Sequence, residues 1–283
     1  MGNFFSFFTK NTMIKTNTEY FLIKKVVFMF SDQTVIVTGG ANGIGLATVK
    51  AFLEKNARVV MADIVQEAGQ RAQKELAREK DNCLFIPTDT GCESSVQQMV
   101  QQAMQTFGPI SVLVNGAACF IMKGVEATPQ DWEQVCRVGI AGYALCAKHV
   151  VPSMKEIGGG AIVNICSISA LIAQPHFVTY SATKGAVLSM TRCMALDLAK
   201  DNIRVNAVSP GTIWTESNER FHRETLKMNR AQADHDPDIG GKHMLKRTGD
   251  PHEVAEAILF LASNKARFIT GDNVCVDGGY TAQ

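Results

Sequence analysis

From Gln33 onward the chain alternates between short runs of aliphatic and β-branched residues and longer stretches with apolar residues every three or four positions. The short runs are "TVIVTG" at 34–39, "ARVVMAD" at 57–63, "CLFIPTD" at 83–89, "ISVLVNG" at 110–116, "GAIVNICS" at 160–167, "IRVNAVS" at 203–209 and "NVCVDG" at 273–278. They are continuously apolar rather than alternating. A strand of that kind has both faces covered, as in a parallel sheet flanked by helices. The stretches between them carry apolar stripes, such as Leu46, Val49, Phe52 and Leu53 after Gly43. Another opens at "TPQDW", where Thr128 can cap, Pro129 suits the first turn and Asp131 complements the helix dipole. Strand–helix alternation along the whole of 33–283 predicts an α/β fold in a single domain, a doubly wound parallel sheet of seven strands. One segment breaks the rhythm: residues 212–248 separate the sixth and seventh strands, and an insertion of that length after a strand end predicts a lid over a site.

Residues 1–32 do not share this pattern. The segment is rich in Phe, Lys, Thr and Asn, and its longest apolar run is cut by Lys24 and Lys25, too short for a membrane span. It lacks a basic start followed by an A-x-A-like cleavage site, so it does not read as a signal peptide. It reads as a disordered N-terminal extension, or as an overrun ahead of a start at Met29. The opening "MGNFFS" also fits the pattern for N-myristoylation at Gly2. Composition changes the picture little: 46% apolar residues, 19% charged and a formal net charge of +1 describe an ordinary soluble globular chain. Near-neutral charge gives no reason to expect nucleic acid. The eight cysteines form no C-x-x-C pair and no zinc-like spacing with histidine. Buried reduced thiols, a cytoplasmic location and no metal are the expectation.

The candidate chemistry begins at "TVIVTGGANGIG". Glycines fall at 39, 43 and 45, after a buried strand and at the start of a helical stripe. Gly39 permits the tight turn, Gly43 lets the backbone approach a pyrophosphate, and Gly45 lets the helix pack close to the strand. Asp63 ends the second strand 18 residues after Gly45, where a carboxylate can accept both ribose hydroxyls of NAD. It would repel the 2′-phosphate of NADP, and no Arg or Lys lies within 39–49 to offset it. Asp89 ends the third strand and could hold the adenine amino group or cap the helix near 93.

Seven motifs in order then resemble the short-chain dehydrogenase/reductases of the common 250-residue type: "TGGANGIG", "TD" at 88–89, "LVNGAA" at 113–118, "IVNICS" at 162–167, "YSATK" at 180–184, "RVNAVSPGTIWT" at 204–215 and "TGDNVCVDGG" at 270–279. The resemblance covers about Gln33 to Tyr280 and implies a Rossmann fold. It implies Tyr180 as acid/base, Lys184 as its electrostatic partner and a contact to the nicotinamide ribose, and Ser167, thirteen residues before Tyr180, as donor to the substrate oxygen; Ser169 is the fallback donor. It also implies a cofactor site built from Gly39, Asn42, Gly43, Ile44, Gly45, Asp63, Asp89, Asn115, Pro210, Gly211, Ile213 and Thr215, along with Tyr180 and Lys184. The function implied is NAD-dependent interconversion of a small secondary alcohol and a ketone, in a homo-oligomer, most simply a homotetramer. Charged lid residues tilt the expected substrate toward a polar one such as a sugar or polyol. One departure supports an alternative. Where the family has an asparagine that leads protons toward the lysine, this chain has Gly139, as in a catalytically weakened NAD(H)-binding relative that acts as a sensor or through partners.

Overall fold

The computed structural model describes residues 11–15, 20–24, 29–76 and 82–283. Gly2, and with it the myristoylation expectation, lies outside the described residues. Within the leading segment, β1 (Asn11–Lys15) and β2 (Tyr20–Lys24) pair antiparallel as a sheet of their own.

The seven expected strands are all present: β3 (Thr34–Thr38), β4 (Arg58–Asp63), β5 (Cys83–Pro87), β6 (Ile110–Asn115), β7 (Gly160–Ile165), β8 (Ile203–Pro210) and β9 (Asn273–Val276). They form one sheet in the order β5-β4-β3-β6-β7-β8-β9, and every pairing is parallel. The continuous hydrophobicity has the predicted cause. Val35 and Val37 of β3 pack in one core with α1 (Gly43–Glu54), α2 (Gln66–Leu76) and α9 (Pro251–Ala262). Ile36, between them, packs in the opposite core with α3 (Glu93–Phe107), α5 (Gly142–Glu156) and α6 (Val178–Leu198). Successive side chains of a strand point to opposite faces, so both must be apolar when helices cover both. Phe30, ahead of the first sheet strand, belongs to the core as well, fully buried with its ring 4.8 Å from that of Phe52.

The Leu46–Val49–Phe52–Leu53 stripe of α1 faces the sheet as expected, with Val49, Phe52 and Leu53 buried and Leu46 partly so. Thr128 and Asp131 form a reciprocal capping box at the start of α4 (Pro129–Cys136). A single π turn, Arg137–Ala141, then joins α4 to α5 without a break. Such a turn inserts one extra residue and rotates everything after it by about 100° about the axis. The topology places β3, the first strand of the seven, between β4 and β6. The crevice at the carboxyl ends of the strands, where the winding reverses, is where a doubly wound sheet holds its ligand.

Candidate active site

A cavity of about 690 Å³ occupies that crevice, within the size range of small-molecule sites. Its floor is the glycine loop. Gly39 and Gly43 adopt φ of +66° and +52°, the left-handed region in which a side chain would be strained. A Cβ on Gly45 would lie 2.0 Å from the Gly39 carbonyl oxygen, so only glycine lets the helix start this close to the turn. Helix α1 begins with neither a side-chain cap at Asn42 nor an acid in its first turn. Asn42, Gly43, Ile44 and Gly45 line the cavity, so the free amides of that helix end open onto it. An uncapped helix N-terminus over a glycine cradle suits an anion such as a pyrophosphate.

Asp63 stands on the same wall, its carboxylate oriented by two backbone amides: Ala41 N–H donates to Oδ2 and Val65 N–H to Oδ1, each at 3.0 Å. Asp89 also lines the cavity, but it does not cap α3, whose N-cap is Cys92. Its Oδ1 accepts from Gly91 N–H at 2.9 Å and its Oδ2 pairs with Arg137 Nη1 at 2.8 Å. Arg137 lines the cavity too and has no sequence signal of its own. Asn115 is the one predicted site residue that lies off the wall. It is buried beneath, its Nδ2 donating to Asn164 Oδ1 of β7 at 3.0 Å, and so ties β6 to β7 under the site. Pro210, Gly211, Ile213 and Thr215 line the far wall from the end of β8. The base of the lid is pinned there by a parallel bridge between Ile213 and Gly249.

The lid itself differs from expectation in one respect. Its cavity face consists of Thr212, Ile213, Thr215, Ser217 and Asn218, and none of its charged side chains reaches the wall. Some of those charges pair elsewhere, as Arg230 does with Asp250 at 2.7 Å and Asp234 with the Thr248 hydroxyl at 2.6 Å. Asn218 Oδ1 is buried and, among the described residues, has no hydrogen-bond partner.

Ser167, Tyr180 and Lys184 meet on this cavity as the motif spacing implied. The four-residue spacing puts the phenol and ammonium on one face of α6, and the Lys184 Nζ lies 5.8 Å from the Tyr180 ring centroid. Ser167, after β7, accepts from Ser169 N–H at 3.1 Å and donates to Ser169 Oγ at 3.2 Å. Phe120 stacks on the Tyr180 ring at 5.7 Å and Phe177 meets it edge-on at 6.0 Å, two aromatic walls that lie in loops without periodic signal. Electrostatically, burial dominates the pair. It pushes the Tyr180 phenol up to about 12, against an opposing pull from its hydrogen bond with Ser167, and pushes Lys184 down to about 8. Desolvation disfavours the charged form of each. Burial thus works against a charged phenolate and a charged ammonium alike.

Gly139 sits on the π turn, buried against α6. A Cβ there would fall 2.3 Å from Thr183 Cγ2. The space of the family's asparagine is thus taken by the methyl of the residue beside Lys184.

The comparisons with known proteins agree with this geometry. A family model described as enoyl-(acyl carrier protein) reductase matches residues 39–281. The chain is 36% identical to cis-4-hydroxycyclohexanecarboxylate dehydrogenase of Sinomonas cyclohexanicum over 89% of its length and 98% of the relative's. It is 37% identical to L-fucose dehydrogenase of Mus musculus, covering 89% and 90% of the two chains. A solved structure, ElxO with NADP bound, superposes with a TM-score of 0.81 at 30% identity, over 89% of this chain and 99% of that one. The chain belongs to the short-chain dehydrogenase/reductase family, whose dehydrogenases use nicotinamide cofactors.

Proposed function

We propose that the chain is an NAD-dependent dehydrogenase interconverting a small secondary alcohol and a ketone, with Tyr180 as acid/base. The observation that carries this reading is a single cavity that gathers Ser167, Tyr180 and Lys184 opposite an uncapped glycine-rich helix start. A nicotinamide cofactor bound here would supply the hydride acceptor and, in its oxidised form, a further positive charge near the phenol. The glycine loop holds its pyrophosphate and Asp63 its ribose hydroxyls. In the oxidation direction Tyr180 would act as the phenolate, its charge offset by Lys184: its Oη takes the hydroxyl proton and becomes a neutral phenol while Ser167 donates to the substrate oxygen. Phe120, Met122 and Phe177 offer the substrate an apolar face, with Ser169 and Gln174 as the polar groups beside it. The two relatives above act on ring-bearing alcohols by name, in keeping with such a wall.

The assay is reduction of NAD against small cyclic alcohols, polyols and sugars, read by NADH absorbance, with NADP in parallel. A 2′-phosphate held about 4 Å from Asp63 would meet roughly 4 kcal/mol of repulsion at an effective dielectric of 20, before solvent relief. Native protein is therefore expected to favour NAD over NADP by about a hundredfold or more in kcat/KM, and Asp63→Ala to narrow that ratio below about tenfold. Native protein that uses both cofactors equally well overturns the role given to Asp63. Tight NADH binding with no turnover on any alcohol would favour the weakened-relative reading instead.

The same reading includes a homotetramer. Leu196 on α6 is 80% exposed, while Phe268, after α9, is fully exposed beside the edge strand β9. Each is a large apolar side chain that a subunit interface would cover. Light scattering at micromolar concentration is expected to give about four times the chain mass, and a monomer there rules it out.

A further inference from the structure

The Lys184 ammonium is 3% exposed and, among the described residues, has no carboxylate within ion-pair distance. It is held instead by two oxygens. It donates to the Ile165 carbonyl at 2.7 Å and to the Tyr143 hydroxyl at 3.3 Å. Tyr143 donates in turn to the same Ile165 carbonyl at 3.0 Å, closing a triangle of Nζ, Oη and carbonyl oxygen. The ammonium also lies between two phenol rings, 5.5 Å from the centroid of Tyr143 and 5.8 Å from that of Tyr180. Tyr143 is 1% exposed and stands one helical turn past Gly139, just after the π turn that rotates this part of α5.

We propose that Tyr143 is a positioning residue for Lys184: its hydroxyl and the Ile165 carbonyl together fix the ammonium where Tyr180 and the cofactor ribose use it. The proposal rests on the dehydrogenase reading for what Lys184 does, but not for the contact itself. A chain with glycine at 139 has no side chain there to organise the approach to Lys184, and α5 supplies a hydroxyl one turn later. The titratable groups around the ammonium are Tyr143 from α5, Tyr180 from its own helix and Cys166 just after β7, whose Sγ donates to the Lys184 backbone carbonyl. An oxygen that accepts from an ammonium favours the charged form, so removing it makes the proton easier to lose.

The test is Tyr143→Phe, which retains the ring and deletes only the oxygen. NADH binding by fluorescence titration across pH reads the free protein without turnover. Native affinity is expected to fall as pH rises through about 8, where Lys184 loses its proton. In Tyr143→Phe the midpoint is expected to move down by about one pH unit, and the upper limb of the kcat/KM profile with it. Uniform weakening at every pH, with the midpoint unmoved, marks a purely structural role and overturns the proposal. Should the variant fold poorly, 3-fluorotyrosine at 143 keeps both hydrogen bonds and weakens the oxygen as acceptor; the midpoint then moves the same way by less, and an unmoved midpoint overturns the proposal equally. The lysine ¹³Cε shift of Lys184 gives the same midpoint with no cofactor. A shifted midpoint in a protein that oxidises no alcohol leaves the positioning role standing while the dehydrogenase reading falls. Normal turnover with no shift has the reverse meaning.

Discussion

Replacing Tyr180 with phenylalanine is expected to lower turnover by at least about 10²–10⁴-fold, the worth of positioned general acid–base assistance. In the proposed reading the phenol oxygen exchanges a proton with the carbinol while Ser167 donates to the substrate oxygen, and Lys184 Nζ lies 5.8 Å from the centroid of the Tyr180 ring. Tyr143 is sealed in the core with its hydroxyl committed to Ile165, and burial pushes its pKa well above that of a free phenol. The ring itself remains between Phe120 and Phe177, so packing is kept. NADH affinity is therefore expected to stay within about twofold of native, which separates a chemical defect from a folding one. The check is initial rates at saturating alcohol together with NADH titration. Turnover within tenfold of native would remove Tyr180 from the chemistry.

Gly139→Asn has the second-largest expected effect, and the direction is the opposite of what the family pattern suggests. Restoring the family's asparagine looks like a repair. In this chain the Cβ alone would sit 2.3 Å from Thr183 Cγ2, a contact no side chain sustains. Thr183 cannot easily yield, because its hydroxyl donates to the Thr179 carbonyl at 2.8 Å and its backbone carries the residue before Lys184. Overpacking of this kind costs about 1–3 kcal/mol, and the few tenths regained by removing a helical glycine do not offset it. Thermal unfolding is expected several degrees lower, with turnover reduced as Lys184 is displaced. Thr183→Ser deletes the offending methyl and keeps the hydroxyl. The double variant Gly139→Asn with Thr183→Ser is therefore expected to recover most of the lost melting temperature. A single Gly139→Asn variant as stable as native would show that the space is not filled in the way described.

The two residues at 139 and 183 illustrate how far the sequence could be read. Gly139 was visible as a departure, and its consequence looked like a gap. Only packing α4 and α5 against α6 shows that the gap is filled, because the filling atom comes from a residue 44 positions later. Asp89 is similar. Its place at a strand end was legible, but its partner Arg137 lies 48 residues away on a different element. The lid's charges are a third case: a charge count does not say which side chains line a cavity, and here none of the charged ones does.

By itself the sequence determined the strand–helix order, the parallel sheet buried on both faces, the glycine loop and the Ser167, Tyr180 and Lys184 spacing. Apart from Ser167, which the family resemblance picked out thirteen residues before Tyr180, these depend on residues within a turn or a strand of one another, where periodicity, sterics and backbone chirality act locally. Tertiary structure alone decided the ion pair at Asp89, the aromatic walls of Phe120 and Phe177, the filled space at Gly139 and the triangle of Tyr143, Lys184 and Ile165. These join elements far apart in the chain, and the last of them spans 41 residues between Tyr143 and Lys184. They follow from how helices settle on the two faces of one sheet, a choice made by volume and shape across the core and written in no short stretch of residues.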